Sequence, residues 1–452
     1  MASRHLWDPE SVVILSGSGG ERLAEELAGV IGLPASSSIS ASSSVSGECQ
    51  IQLGSNVRGR QVFVVQGTDD PVNDHVIELA LILSACKRAS AARVHAIVPY
   101  LAYGRQTRKA KSRVPVSAAE VASILEEACV DAVCTVDVHD AQNAGFFSPR
   151  CAFHNANYIP VAARFLVRRG LSSPVVVAPH SSTVSRCMEF VQALIQYESE
   201  LGMHAEAVAR GQICGGSAVE ATSAAAGLPA STPSTARGDG YSAGVESGAR
   251  RRSWTLPPSL AMLLTVERLG HKELELTGDV TGRDAVLVDD IVDSGNTLAR
   301  SSRELMARGA SRVIAFATHG LLSSDAADKL AKAPIDLLVL TNTVCTVSSK
   351  LPADHRLRRK MAVLSVAPML AHYVCEHADL PLPDLDPLVP IYAMHSGSTS
   401  AEPAYTSFMA QHMRGMALLE EDSLLNSETA SQVESQTTAS EFSGAAAAVI
   451  MS

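Results

Sequence analysis

Apolar and polar positions along the chain follow two rhythms. Short, continuously apolar runs rich in β-branched residues recur: VVILS, RQVFVV, RVHAIV, AVCTVDV, PVVVA, AMLLTV, DAVLV, RVIAFAT and DLLVL. Runs of this length and composition read as buried strands. Between them, stretches such as ERLAEELAGVIG and HVIELALILSACKRA repeat their apolar residues at helical spacing. Strands apolar on both faces, alternating with amphipathic helices, predict largely parallel sheets covered by helices on each side. The first part of the chain, to Tyr158, and the second, from Ile159, each hold enough strands for one such domain. The expected architecture is α/β, with two tandem doubly wound domains at 1–158 and 159–393.

Three stretches fall outside this rhythm. Ala35 to Ser46 is a Ser-rich loop. From about 203 to 259 the chain is rich in Ala, Ser, Gly, Thr and Pro without a sustained period, which predicts a low-complexity, disordered insertion. Residues 394–452 read as a mostly disordered acidic tail, with one helix around Tyr405 to Leu419; no Lys or Arg follows Arg414.

Composition narrows the function classes. The net charge is −10, from 37 basic and 47 acidic residues, which argues against a general nucleic-acid binder. No apolar run reaches the ~18 residues that would suggest a membrane span. MASRHLWDPESVV has no apolar stretch leading to a cleavage site, so no secretory signal is expected. The nine cysteines show neither a paired framework nor CxxC spacing, as expected of reduced thiols in a cytoplasmic protein.

The sharpest chemical signal is DAVLVDDIVDSGNTLARSSREL. An apolar strand, Ala285 to Val288, is expected to end in Asp289 and Asp290, and Asp293, Ser294, Gly295, Asn296 and Thr297 then open a helix. A short loop at a helix N-terminus presents backbone N–H groups and the positive end of the helix dipole to an anion. Gly295 lets the backbone approach closely, and Ser294 and Thr297 add hydroxyl donors. The acidic pair suits the vicinal hydroxyls of a ribose. Such a site lies at the carboxyl end of a parallel strand, where open α/β sheets bind ligands.

A second signal is the basic cluster Arg105, Arg108, Lys109, Lys111 and Arg113, able to clamp a triphosphate through bidentate guanidinium contacts and ammonium charge. Asp137 and His139 are two residues apart on a predicted strand, which would turn both side chains to one face.

These segments together resemble one family. DAVLVDDIVDSGNTL resembles the signature of type I phosphoribosyltransferases and of ribose-phosphate diphosphokinases. PYLAYGRQTRKAKSRVPVSA is similar to the diphosphokinase ATP loop, with Arg105, Gln106, Lys111, Ser112, Arg113 and Pro115 matching. VDVHDAQNAGFF is similar to its metal-and-ATP segment, through Asp137, His139, Gln142, Gly145, Phe146 and Phe147. The resemblance covers roughly Val12 to His377 apart from the insertion. It implies two domains of the type I phosphoribosyltransferase kind. It also implies transfer of the diphosphoryl group of ATP to ribose 5-phosphate, giving phosphoribosyl pyrophosphate and AMP for nucleotide biosynthesis.

Residue by residue, the resemblance assigns ATP binding to Glu48, Arg105, Gln106, Lys111 and Arg113. Ribose 5-phosphate falls to Asp289, Asp290, Asp293, Ser294, Gly295, Asn296 and Thr297. Catalysis falls to Arg268 and His139, and Mg²⁺ to Asp137 and His139. Oligomers are implied, either of this chain alone or with active paralogues.

The chain departs from the family pattern at several points. Where the family has a catalytic Lys and Arg separated by one residue, on a loop after the strand AMLLTV, this chain reads Val266-Glu267-Arg268. Where the family has a metal-coordinating, ribose-facing Asp in Pro-Asp-x-Gly-Gly, this chain has His180, with Ser182 and Thr183 at the glycines. Ser44 stands where the family stacks a Phe on adenine. These changes spare the sugar-phosphate loop, which leaves open a catalytically weakened, synthetase-associated regulatory subunit beside the enzyme itself.

Overall fold

The computed structural model describes residues 11–33, 37–38, 40–43, 48–109, 111–209, 257–268, 271–344, 351–352, 354–382 and 390–392. The chain divides into two compact units. Unit 1 takes residues up to Ala156 together with Thr318–Leu321 and the chain from Leu340 onward; unit 2 takes Asn157–Ala317 and Leu322–Val339.

The first unit opens with β1 (Val12–Ser16), α1 (Glu21–Ile31), β2 (Ser37–Ser38), β3 (Ser40–Ser43), β4 (Cys49–Gln52) and β5 (Gln61–Val65). It continues with α2 (Val72–Arg88), β6 (Arg93–Ile97), α3 (Ser117–Glu127), β7 (Ala132–Val136) and β8 (Ala152–Ala156). Six of these strands form a parallel sheet in the order β2-β1-β5-β6-β7-β8, with β3 and β4 as a separate antiparallel pair. Val62, Val64, Val94, Ala96 and Val133 are inaccessible to solvent and pack against Leu79, Ile82 and Leu83 of α2. That is why these strands read as unbroken apolar runs rather than alternating ones.

The Gly-rich turn between β1 and α1 has the form of an anion cradle, but the chain fills it itself. The Ser18 amide and hydroxyl donate to the two carboxylate oxygens of Glu78, at 3.0 and 2.5 Å. Gln66 Nε2 donates to the same carboxylate at 2.7 Å, and its carbonyl accepts from the Gly19 amide at 3.0 Å. A Cβ on Gly20 would lie 2.1 Å from the Val65 carbonyl oxygen, so only glycine fits there.

The second unit contains α4 (Ile159–Arg168), β9 (Pro174–Ala178), α5 (Val184–Ala209), β10 (Ser259–Arg268) and β11 (His271–Thr277). Then come β12 (Asp284–Val292), α6 (Asn296–Ala307), β13 (Arg312–Gly320), α7 (Ala326–Lys332) and β14 (Leu337–Thr341), the last residues of β13 and β14 being counted with the first unit. The strand order is β11-β10-β9-β12-β13-β14, with β11 antiparallel to β10. Two boundaries differ from expectation. α5 runs on to Ala209, because Met203 to Ala209 is built from good helix formers that a purely compositional reading merges with the insertion. β10 runs on through Arg268 as one arm of a hairpin, so Val266-Glu267-Arg268 is strand, not loop. Residues 210–256, Ser44 and the tail beyond Tyr392 lie outside the described residues.

One arginine closes the edge where the chain returns to this sheet. Arg283 donates to the carbonyls of Ser173, Pro174 and Pro257 and to Ser259 Oγ, at 2.8–3.0 Å. Loss of a charged donor to several carbonyls costs about 1.5–3 kcal/mol. Arg283→Ala should therefore lower the thermal midpoint by several degrees, which calorimetry would register; an unchanged midpoint would mean that the staple contributes nothing.

The remaining elements are β15 (Met361–Leu364), α8 (Ala367–His377) and β16 (Pro390–Tyr392), with β15 and β16 antiparallel. They belong to the first unit, whereas the sequence reading carried the second domain to residue 393. The cause is specific packing. Glu26 of α1 accepts from Asn342 Nδ2 and Ser365 Oγ, both at 2.9 Å. Tyr373 of α8 meets His95 of β6 and Phe63 of β5. Burial pushes the Glu26 carboxyl up, and the Ser365, Arg22 and Asn342 contacts partly offset this. The described cysteines are free thiols, and no helix among the described residues is long and apolar enough to cross a membrane.

Candidate active site

In the second unit, β12 is buried from Asp284 to Asp290 and continues past the acidic pair to Val292, rather than ending at the pair as expected. Gly295 caps α6 in the left-handed region, φ 71°. A Cβ there would sit 3.1 Å from Leu330 Cγ and 3.2 Å from the Ala326 carbonyl of α7, so both conformation and space demand glycine. Leu322 and Ser323 tie the loop from behind, donating amides to the Val292 and Asp293 carbonyls at 3.1 and 3.0 Å. Ser294, Asn296 and Thr297 remain exposed. Exposed hydroxyls on Ser294 and Thr297 at the start of a helix, whose first amides have no intrahelical partner, are what an anion cradle requires.

Asp289 and Asp290 are each only 5% exposed, and the Asp290 amide donates to Asp289 Oδ1 at 3.0 Å. Burial, and after it the neighbouring Asp290, push the Asp289 carboxyl up to about 8, against the pull of Arg186. One carboxyl of the pair therefore holds a proton at neutral pH and can donate to a sugar hydroxyl while the other accepts. His180, in the turn between β9 and α5, points Nε2 at Asp289 Oδ1 from 3.8 Å. Its Nδ1 meets Ser182 Oγ at 2.7 Å. Cys187, one turn into α5, donates Sγ–H to the Val288 carbonyl at 3.7 Å, and burial pushes its thiol up to about 12.

In the first unit, Arg105, Gln106, Arg108, Lys109, Lys111 and Arg113 are all exposed on the loop between β6 and α3. Arg113 has φ 63°, a left-handed turn that a non-glycine residue adopts only under constraint. Gln106 anchors the loop to α3 by accepting from Ser117 Oγ at 2.7 Å. Two further contacts hold this loop to the segment after β7. Thr107 Oγ1 donates to Asp140 Oδ2 at 2.9 Å, and Asn143 Nδ2 donates to the Gly104 and Asp140 carbonyls at 2.9 and 2.7 Å. The basic loop and the segment after β7 are thus joined by hydrogen bonds. Thr107, Asp140, Asn143 and, in the other unit, Arg186 were not singled out from sequence. Thr107 and Asn143 are lone polar residues buried within turns, Asp140 is half-buried in a turn and Arg186 is half-buried on α5, so none belongs to a periodic pattern that could be detected.

Asp137 and His139 do not share a face. β7 ends at Val136, and Asp137 takes a left-handed conformation, φ 43°, which breaks the strand alternation that the sequence reading assumed. Asp137 is buried, its carboxylate accepting from Thr318 Oγ1 at 2.5 Å; His139 is exposed. No cluster of three or more His, Cys, Asp or Glu residues able to hold a metal exists among the described residues. The donors fit Mg²⁺ only as an ion that arrives on a triphosphate, because Mg²⁺ commonly keeps substrate phosphates and few protein ligands. Glu48 is exposed beside β4, and Arg268 ends β10 opposite His271.

Comparison with known proteins decides what this arrangement belongs to. A family described as the N-terminal domain of ribose phosphate pyrophosphokinase matches residues 12–129, and one described as a phosphoribosyl synthetase-associated domain matches 239–374. The ribose-phosphate pyrophosphokinase of Aquifex aeolicus is 30% identical over 364 residues, covering 80% of this chain and 94% of that protein.

The chain belongs to the ribose-phosphate pyrophosphokinase family.

The Vibrio parahaemolyticus ribose-phosphate pyrophosphokinase is 32% identical over 329 residues, 73% of this chain and 84% of that protein. Among solved structures, phosphoribosylpyrophosphate synthetase from Mycobacterium smegmatis superposes with a TM-score of 0.62 at 25% identity, covering 82% of this chain and 99% of that one. Within this pyrophosphokinase family, the two α/β units are those expected of paired type I phosphoribosyltransferase folds.

Proposed function

We propose that this chain is a ribose-phosphate diphosphokinase. It moves the β,γ-diphosphoryl group of ATP to the anomeric hydroxyl of ribose 5-phosphate and releases AMP. The observation that carries the reading is the loop from Asp293 to Thr297, held open by Gly295 and preceded by the buried pair Asp289 and Asp290. The first-turn amides of α6, Ser294 and Thr297 take the 5-phosphate, and the acidic pair takes the ribose hydroxyls. Arg105, Gln106, Lys111 and Arg113 take the triphosphate, with Glu48 at the nucleoside end. The anomeric oxygen attacks the β-phosphorus, the bond from that phosphorus to the α,β-bridging oxygen breaks, and AMP leaves with the oxygen. Arg268 and His139 are assigned to the charge that develops on the transferring group. Mg²⁺, if bound, would arrive on the triphosphate and supply charge neutralisation there; His139 is the exposed member of the predicted pair that could face it, whereas Asp137 is buried against Thr318. Assembly as an oligomer, of this chain or with active paralogues, and a cytoplasmic location complete the reading.

Of the two roles that the sequence left open, the pyrophosphokinase name of the full-length relatives supports the enzyme. The test is AMP release by the purified full chain from ATP and ribose 5-phosphate, with excess MgCl₂. AMP formation that depends on ribose 5-phosphate is expected. No AMP from a folded chain, while an active family member turns over beside it, would overturn the assignment.

A further inference from the structure

We propose that Thr318 is a positioning residue for nucleotide binding. Its buried bond to Asp137 fixes the direction in which the chain leaves β7, and so places His139, Asp140 and the basic loop that Asp140 holds. This rests on the proposed reading of the loop from Arg105 to Arg113 as the triphosphate clamp. All of these residues belong to the first unit.

Asp137 turns left-handed, φ 43°, directly after β7. A non-glycine residue keeps that conformation only where its surroundings over-determine it, and such residues gather at functional sites. Several contacts do so here. The Asp137 amide donates to the Ala156 carbonyl, and the next amide, that of Val138, donates to Asn155 Oδ1, both at 2.9 Å. Thr318 Oγ1 donates to Asp137 Oδ2 at 2.5 Å, a length typical of a hydroxyl bonded to a carboxylate.

Thr318 is itself held. Its carbonyl accepts from Thr341 Oγ1 at 2.7 Å, and the neighbouring His319 meets Thr343 Oγ1 through Nδ1 at 2.9 Å. Asp137, Thr318, His319, Thr341 and Thr343 are each at most 3% exposed. A polar network this deep rigidifies what it holds when its members are paired. Both segments with nucleotide candidates start from it. His319 packs edge-on against the Tyr100 ring, centroids 5.1 Å apart, at the root of the basic loop. Thr318 grips Asp137 at the root of the segment after β7, and two residues later the chain has reached the surface at His139. Further out, the Thr107–Asp140 and Asn143–Gly104 bonds join the two segments again. Valine would fill the place of Thr318 in the core equally well; the hydroxyl matters because of the carboxylate it aims.

The test is calorimetric titration of the full chain with ATP in MgCl₂ and, separately, with ribose 5-phosphate, beside steady-state AMP release. Thr318→Val keeps the volume and removes the donor. It should weaken ATP binding by about tenfold or more and raise the KM for ATP in step, while ribose 5-phosphate affinity stays within about twofold. Thr318→Ser keeps the donor and should stay within about threefold of wild type for ATP. Thr341→Val removes a hydroxyl from the same network without touching Asp137. It should lower the thermal midpoint about as much as Thr318→Val and leave ATP binding unchanged. Thr107→Val breaks the outer link without a change in the deep interior, and should weaken ATP in the same selective way even if Thr318→Val does not fold. Unchanged ATP affinity in Thr318→Val or in Thr107→Val, an equal ATP loss in Thr341→Val, or a parallel loss of ribose 5-phosphate would overturn the inference. If wild type itself binds no ATP, the reading of the basic loop fails, and the inference with it.

Discussion

Ribose 5-phosphate affinity should fall by at least about 10²-fold in the Asp290→Ala/Thr297→Ala double variant, with the fold intact. Each substitution removes one charge-assisted or phosphate-directed hydrogen bond, worth about 1.5–3 kcal/mol, and a factor of ten in affinity is about 1.4 kcal/mol. Thr297 is exposed in the first turn of α6, so its loss leaves no cavity. Removing Asp290 also removes the like charge that helps push the Asp289 carboxyl up to about 8. With one carboxyl of the pair protonated at neutral pH, little repulsion is relieved, and the loss of buried Asp290 should lower stability modestly while binding collapses. A variant that is still folded at the titration temperature separates a binding defect from a folding defect. Calorimetric titration with a parallel melt tests it, and equal affinity in wild type and double variant would sink the assignment.

The second large effect is on stability and comes from the first unit. His95 is 2% exposed and stacked on Phe63, with ring centroids 4.6 Å apart. Its Nδ1 pairs with the Tyr373 hydroxyl at 2.9 Å, and its buried Nε2 finds no partner. The rings of His154 and His377 complete the cluster, with His377 5.4 Å from His95 and 4.9 Å from His154. Burial lowers the His95 pKa from 6.5 to about 4, helped by His377, Arg93 and His154 and opposed by Asp131. The sign follows from proton counting. Between pH 6.5 and about 4 the unfolded chain binds a proton at this residue that the folded chain refuses, so its contribution is full above that window and is lost as pH falls through it. Over the window the loss is about 3 kcal/mol.

Asp289 acts in the opposite direction. Its carboxyl is raised, so the folded chain holds a proton that the unfolded chain releases, and its contribution declines as pH rises from about 4 toward 8. The clean observable is therefore a difference between two proteins. His95→Phe keeps the ring stack and removes the titration. Denaturant unfolding should show the variant gaining about 3 kcal/mol on wild type between pH 7 and pH 4. A pH-independent difference would mean that His95 titrates normally.

The strand–loop–helix from Asp284 to Ala307 was legible because every part of its chemistry is local: buried strand, acidic pair, left-handed glycine and hydroxyls lie within a few residues. The exposed basic loop from Arg105 to Arg113 was legible for the same reason. What sequence did not reveal depends on distant partners. Asn342 and Ser365 complete Glu26, and α8 seats Tyr373 against His95, so this late part of the chain belongs with the first unit. The left-handed turn at Asp137 moves a side chain that strand alternation placed beside His139. There its carboxylate accepts from Thr318, far away in sequence. The Ser-rich and Ala-rich segments were read by composition alone, which could not show that α5 continues to Ala209.

The arginine staple at Pro257 bears on how this chain could have acquired so long a segment between α5 and β10. Loop closure grows only logarithmically with length, about 0.6 kcal/mol per doubling. A segment that enters from a continuous helix and leaves through a guanidinium clamp therefore exerts little pull on the sheet, whatever its length. β9, which leads into the turn at His180, and β12, which carries the acidic pair, keep their register through their own ladder. The number of residues between Ala209 and Pro257 can therefore change without disturbing the register that places Asp289 and Asp290.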